Sequence, residues 1–211
     1  MYATVADLRA EGVTVTVADD ARLTLLIEEA SALIDQLTGW WFEPRALLLR
    51  MDGRGTPTIA PPAPPIRLDR LFVGGEELPT APEYLVIVGA PVLPGLDGPR
   101  ITQRWGVFPR GDGNVLADGL WGYTEPDGTP EGRTPLPIRR ATMLLVLRHV
   151  DPLADDAAVA ARTRWRVVEE RTRDQSYKLG TAPEPVHGMA GDPDIDALLA
   201  PYMRPSHFGA A

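Results

Sequence analysis

The chain contains no cysteine, and Lys178 is the single lysine among its 21 basic residues. Without thiols there can be no disulfide, no thiolate nucleophile and no cysteine-based zinc site. No window approaches the roughly eighteen consecutive apolar residues of a transmembrane helix. The opening MYATVADLRAEG has neither a basic leader nor an apolar core, and is not expected to be a secretory signal. There is no HExxH, no serine in a GxSxG elbow, and no glycine loop ending in GK[ST]. His149, His187 and His207 do not pair at a ligand spacing. The sequence therefore predicts no metal, no cofactor and no catalytic constellation.

What is present suits a folded chain. Its 211 residues are 44% hydrophobic, enough for one globular domain or one domain carrying an insertion. The formal net charge of -8 disfavours surface-wide attraction to DNA or anionic lipid. The positive charge is almost all arginine, alongside abundant Ala, Gly and Pro, as a GC-rich coding sequence produces.

Three textures follow one another. Residues 19 to 39 carry Leu23, Leu26, Ile27, Ala30, Leu33, Ile34 and Leu37 in steps of three and four. Those steps put one apolar stripe on one helix face. Asp19 or Asp20 can cap the start, and Gly39 suits a left-handed stop. A shorter helix is predicted near Thr4 to Glu11. From about residue 44 to 130, proline and glycine are too dense for helices. Extended runs lie at Ala46 to Met51, Leu68 to Val73, Glu83 to Val88, Arg100 to Trp105 and Asn114 to Trp121. Gly74-Gly75 reads as a two-residue hairpin turn. TPTIAPPAPPI is too rich in proline for a central strand and is expected to run extended along a surface. Helix then returns in TPLPIRRATMLLVLRHVDP, with Thr134 as cap, Pro135 in the first turn and Pro152 as the stop. Met143 to Leu147 is apolar all round, which predicts burial. RWRVVEER reads as a strand or extended arm, and Ile195 to Met203 as a last short helix.

The fold class expected is α+β. A small helical body forms from residues 1–43 and 131–163, with an inserted β-rich module at 44–130. A C-terminal arm with a short helix spans 164–211.

Several groups invite a functional reading. Asp192, Asp194 and Asp196 alternate like calcium ligands. Counted as an EF-hand loop, however, the sixth and twelfth positions from Asp192 hold Ala197 and Met203 instead of Gly and Glu. Capping of the helix by Asp194, with its neighbours favouring the positive helix end, accounts for them better. Glu28-Glu29 suit a solvated helix face. Arg110-Gly111-Asp112 matches an adhesion triplet, yet a tight loop between strands explains it. In RTRWRVV the arginines alternate with Thr163, Trp165 and Val167, so an extended chain puts them on one face. That cluster is either a solvated edge or a docking strip for an acidic partner.

Taken in order, these pieces resemble the head–tail connector (adaptor) proteins of long-tailed bacteriophages and gene transfer agents. The resemblance is carried by YATVADLRAEG with DDARLTLLIEEASALIDQLTGWWFEPR, then MDGRGTPTIAPPAPPIRLDRLFVGG, GNVLADGLWGY, LPIRRATMLLVLRHV, and QSYKLG with GDPDIDALLAPYMRP. It implies a non-catalytic structural virion protein at the head–tail interface, assembled in the bacterial cytoplasm. Copies would form a ring, usually of about twelve, beneath the portal protein. The ring would extend the channel for double-stranded DNA, which passes without specific binding, and would offer a docking surface to a tail terminator or stopper protein. No membrane partner is implied. A different tail-completion component, or a carboxylate-based hydrolase assembled only in the fold, are the competing readings.

A ring also suggests which residues meet a neighbour. Trp40, Trp41 and Phe42 are adjacent; one or two can be core, but three such side chains do not easily all face inward, so a subunit contact or a seam between the inserted module and the helical body is expected to bury the rest. Arg162, Arg164, Trp165, Arg166, Arg171, Arg173 and Tyr177 would belong to the docking arm. Leu198, Leu199, Tyr202 and Met203 would dock through the terminal helix. Deleting residues 164 to 205 is expected to abolish attachment while leaving the fold.

Overall fold

The structure is a computed structural model that describes residues 1–91, 98–150, 169–172, 175–178 and 190–204. It is mixed α and β, with helices at the N-terminus, antiparallel sheets in the middle and helices again towards the C-terminus. The chain divides into two compact units. One holds Met1, Ala3–Thr38 and Arg139–Met203; the other holds Tyr2, Gly39–Ile138 and the chain from Arg204.

The first unit is helical. Helix α1, Val5–Ala10, starts with a reciprocal cap. The Asp7 N–H donates to Thr4 Oγ1 at 3.2 Å, and the Thr4 N–H donates to Asp7 Oδ2 at 2.8 Å. Arg9 donates to the carbonyls of Val13 and Ala18, each at 2.9 Å, and so pins the link to the next helix. Helix α2, Asp20–Thr38, begins where the Arg22 N–H donates to Asp19 Oδ1 at 2.7 Å. It stops at Gly39, whose φ of 73° needs a residue without Cβ. Leu23, Leu26, Ile27, Ala30 and Ile34 are buried as the stripe predicts. Leu33 departs from it at 36% exposed, because at 100° per residue it falls on the flank of the stripe. Ser31 and Thr38 are buried among them, and each hydroxyl donates at 2.7 Å to the carbonyl four residues back.

Helix α3, Leu136–His149, buries Ala141, Thr142, Met143, Leu145 and Val146, while Leu147 is 37% exposed. Its start corrects the predicted cap. Thr134 Oγ1 donates instead to the Phe42 carbonyl at 2.8 Å, and Pro137, not Pro135, lies within the first turn. Helix α4, Pro193–Leu199, continues into a 3-10 turn, Ala200–Tyr202. Because this helix starts at Pro193, its cap is Asp192 and not Asp194. Ion pairs join the segments of this unit: Arg139 to Asp7, Arg140 to Glu11 at 3.1 Å, and Arg148 to Asp192 at 2.9 Å.

The second unit is built from two antiparallel sheets. Its strands are β1 (Arg45–Gly53), β2 (Thr58–Ile59), β3 (Pro65–Val73), β4 (Glu76–Leu78), β5 (Leu85–Val88), β6 (Arg100–Gln103) and β7 (Gly111–Trp121). One sheet has the order β1-β7-β3-β4, the other β2-β6-β5. Both contribute to one core, which includes Ile59, Leu68, Leu71, Leu85, Ile101, Phe108, Val115 and Trp121. On β7 the buried residues Val115, Ala117, Gly119 and Trp121 alternate with half-exposed ones, the period expected of a strand with one buried face. Gly74 and Gly75, with φ of 60° and 90°, form the predicted turn between β3 and β4.

The proline run differs from expectation. Pro61, Ala63, Pro64 and Pro65 are buried rather than laid along the surface. Proline has no N–H to satisfy, so only its carbonyl needs a partner. Pro64 O accepts from Gly122 N and Pro65 O from Ala90 N, each at 2.9 Å. Pro65 enters an interior strand as its first residue, where the missing donor is tolerated.

Strands β8 (Glu169–Thr172) and β9 (Gln175–Lys178) pair with each other in register, Thr172 opposite Gln175. The last residues of RWRVVEER therefore are extended, and the preceding ones lie outside the described residues.

Candidate interaction surface

No described group of three or more His, Asp or Glu side chains could hold a metal ion. His149 Nδ1 lies 2.8 Å from the Leu145 carbonyl at the end of α3; His187 and His207 lie outside the described residues. Two of the alternating aspartates brace the helix start, and the exposed Asp194 lies 3.7 Å from Arg148. Asp192 accepts from the Asp194 N–H at 3.0 Å and from Arg148 Nε at 2.9 Å. Asp196 accepts from the N–H groups of Ala190 and Gly191, at 2.7 and 3.2 Å.

The perturbed carboxyls are also structural. The Arg67 hydrogen bond holds Asp69 below the usual carboxylate range, and the Thr129 hydrogen bonds do the same for Asp127. Burial pushes Asp7 upward, but hydrogen bonds from Arg139 and Thr4, with the Arg139 charge, outweigh it and hold Asp7 low. Each of these shifts traces to an arginine or to hydrogen bonds with nearby Thr groups, and none to a second carboxylate sharing a cleft.

Two of the three adjacent aromatics are core within their own unit, and the third is only half-buried. Trp40 and Phe42 are buried, at 8% and 0% exposed, and Trp41 is half-buried. Phe42 meets Tyr2 edge-on at 5.6 Å between centroids and Tyr123 at 5.6 Å. The Phe42 N–H donates to the Tyr2 hydroxyl oxygen at 3.0 Å. Trp41 Nε1 donates to the Trp121 carbonyl at 3.0 Å, and Arg45 lies over the Trp41 ring. Arg204 covers the ring of Trp40 at 4.3 Å. The chain manages this because the segment after α2 is not helical, so alternate residues can turn to different neighbours.

The terminal helix is likewise core. Ile195, Leu199 and Tyr202 are buried, while Leu198 and Met203 are half-buried. Leu199 and Tyr202 therefore are not free docking residues, and a deletion through residue 205 would remove part of the packed unit. Arg162, Arg164, Trp165, Arg166 and Arg173 lie outside the described residues. Arg171 is in β8 and Tyr177 in β9, where their backbones pair with Ser176 and Glu170.

Sequence reasoning missed a different basic site. Gly53 pairs with Gly111 across β1 and β7, with a register shift between Met51 and Gly53. The Gly55 N–H donates to the Phe108 carbonyl at 2.7 Å. Two Arg-Gly phrases, Arg54-Gly55 and Arg110-Gly111, are thus brought side by side. Gly55 leaves room for Arg110: a Cβ there would meet Arg110 Cγ at 3.3 Å. Gly113 does the same for Arg50, whose Cδ lies 2.7 Å from where a Cβ would be. Arg50, Arg54 and Arg110 are exposed and have no carboxylate partner among the described residues. The same loop presents Trp105 and Val107, at 83% and 51% exposed. The Trp105 indole is nevertheless held, donating to the Glu83 carbonyl at 3.1 Å. The only signal in the sequence was a repeated Arg-Gly pair, and nothing local says that the two loops adjoin.

The outward face of α2 has the opposite character. Leu25 is 47% exposed and Leu33 36%, with Glu29 between them at four-residue steps and Glu28 alongside. Neither glutamate has a basic partner among the described residues.

No protein-family model matches the chain, and no curated protein matches it. Among solved structures, it is similar to a chain from the neck of an empty gene transfer agent (GTA) particle computed with C6 symmetry. The TM-score is 0.54 at 21% identity, covering 82% of this chain and 93% of that one. A chain from the neck of a native GTA particle computed with C12 symmetry gives a TM-score of 0.51 at 20% identity, covering 81% of this chain and 91% of that one. Over most of both lengths, this chain has the fold of those neck components.

Proposed function

We propose that the protein is a non-catalytic neck component of a tailed virus-like particle, a head–tail adaptor that acts as a ring of copies. The ring lies under the portal, extends the channel for double-stranded DNA and presents a docking surface to a stopper or tail terminator. The observation that carries this reading is the fold shared with neck chains of GTA particles over most of both lengths. The segments around β8 and β9 are proposed as the arm that reaches the portal or an adjacent copy.

Particles purified from cells that make this protein provide the test. Mass spectrometry should find the chain in them, and a reconstruction should place its density as a ring between portal and tail. Removal of the gene should leave heads without attached tails. Normally tailed particles after removal, or a protein absent from every particle preparation, would end this reading.

A further inference from the structure

The exposed arginine tip and the outward face of α2 are complementary in both charge and apolarity. The tip offers Arg54 and Arg110, and the chain leading into Arg110 carries the exposed Trp105 and Val107. The α2 face offers Glu28 and Glu29 beside Leu25 and Leu33. We infer that these two surfaces form the contact between adjacent copies of this chain, with the tip of one copy on α2 of the next. This rests on the ring reading above and specifies which surfaces close the ring.

The argument has three parts. First, the tip arginines are arranged and not merely exposed. Gly55 and Gly113 leave room for the side chains of Arg110 and Arg50, and the loop is fixed by the bridge between Thr56 and Phe108. Arginine forks of this kind match a carboxylate in a fixed planar geometry. Second, the occupant should carry carboxylates rather than phosphates. Asp52 and Asp112 are exposed close to the arginines, and so mixed a charge favours a surface with a few carboxylates over a densely charged polyphosphate backbone, whose binding depends on many phosphates being neutralised. A copy of this chain, with a net charge of -8, supplies carboxylates in excess. Third, the two surfaces are different. A contact between unlike patches is head-to-tail, the kind a ring of copies repeats, whereas a like-on-like contact stops at a dimer.

The chain is free of cysteine, so a cross-link can be read without background. The double variant Val107→Cys with Leu25→Cys alters only exposed positions. Oxidised at high protein concentration, or within isolated particles, it should give a ladder of covalent oligomers on a non-reducing gel that collapses with reductant. Each single variant should not give the ladder. Charge reversal provides a second measurement. Arg54→Glu with Arg110→Glu should raise the concentration needed for assembly by about tenfold or more, as should Glu28→Arg with Glu29→Arg. Combining all four should restore assembly. A visible ring that yields no ladder, or reversals that leave assembly unchanged, would overturn this contact while leaving the neck assignment standing. Duplex DNA retained by the wild type and lost on reversing Arg54 and Arg110 would reassign the tip to phosphate. Absence of both a ring and particle incorporation would remove the neck reading itself.

Discussion

At the scale of single residues, the helical unit depends on a few charged side chains with several roles each. Asp7 completes the cap of α1 and pairs with Arg139 of α3, joining the first helix to one far along the chain. Its pKa is lowered by folding, so the unfolded chain takes up a proton more readily as the pH falls. The stabilisation from Asp7 is therefore complete above its unfolded pKa, near about 4, and is lost as the pH falls through the lower folded value. Thermal melts of wild type and Asp7→Ala should differ at neutral pH by about 1 kcal/mol and converge in acid. A difference that grows with acidity would reverse the sign of this argument. Phe42 shows the complementary apolar case. Its ring is placed by Tyr2 and Tyr123, neighbours that the linear run Trp40-Trp41-Phe42 does not reveal.

At the scale of elements, local rules named most helices and strands, and missed where a partner took over. Periodicity located α2, and the glycine pair located the β3–β4 turn, because both signals lie within a few residues of one another. The strands β2 and β4 are too short to have a pattern, and exist through pairing with β6 and β3. Thr134 looked like a cap by its position, but the helix begins only at Leu136, and the Thr134 hydroxyl donates to the Phe42 carbonyl. The α4 cap moved by two residues for a similar reason: Asp192 answers both the helix N-terminus and Arg148. Asp192→Ala should cost about 1–2 kcal/mol, and Asp192→Asn less, since the amide oxygen can still cap. Melting temperatures in calcium and in EDTA should be equal; stabilisation by calcium would revive the metal reading of these aspartates.

At the scale of the whole molecule, charge and sheet pairing set what the protein can meet. The net charge of -8 gives no general hold on DNA, as the proposed role of a conduit would require. Purified protein should not retard duplex DNA in a gel at about 0.15 M salt. Strong retardation would contradict a passive channel. The arginine tip shows how much the larger scale adds. Arg54 and Arg110 are 56 positions apart in the chain, and the pairing of Gly53 with Gly111 makes them neighbours.

The sequence by itself determined the exclusion of thiol chemistry, the α+β alternation, the helix stripe and the acidic balance. These depend on composition or on neighbours within one or two turns, where backbone geometry is nearly fixed. The tertiary structure decided which aromatics are core, which aspartate caps, that Pro61, Pro64 and Pro65 are buried, and where the unpaired arginines of the described residues gather. Those outcomes depend on partners distant in sequence, because a buried polar group takes whichever partner the packing brings within reach.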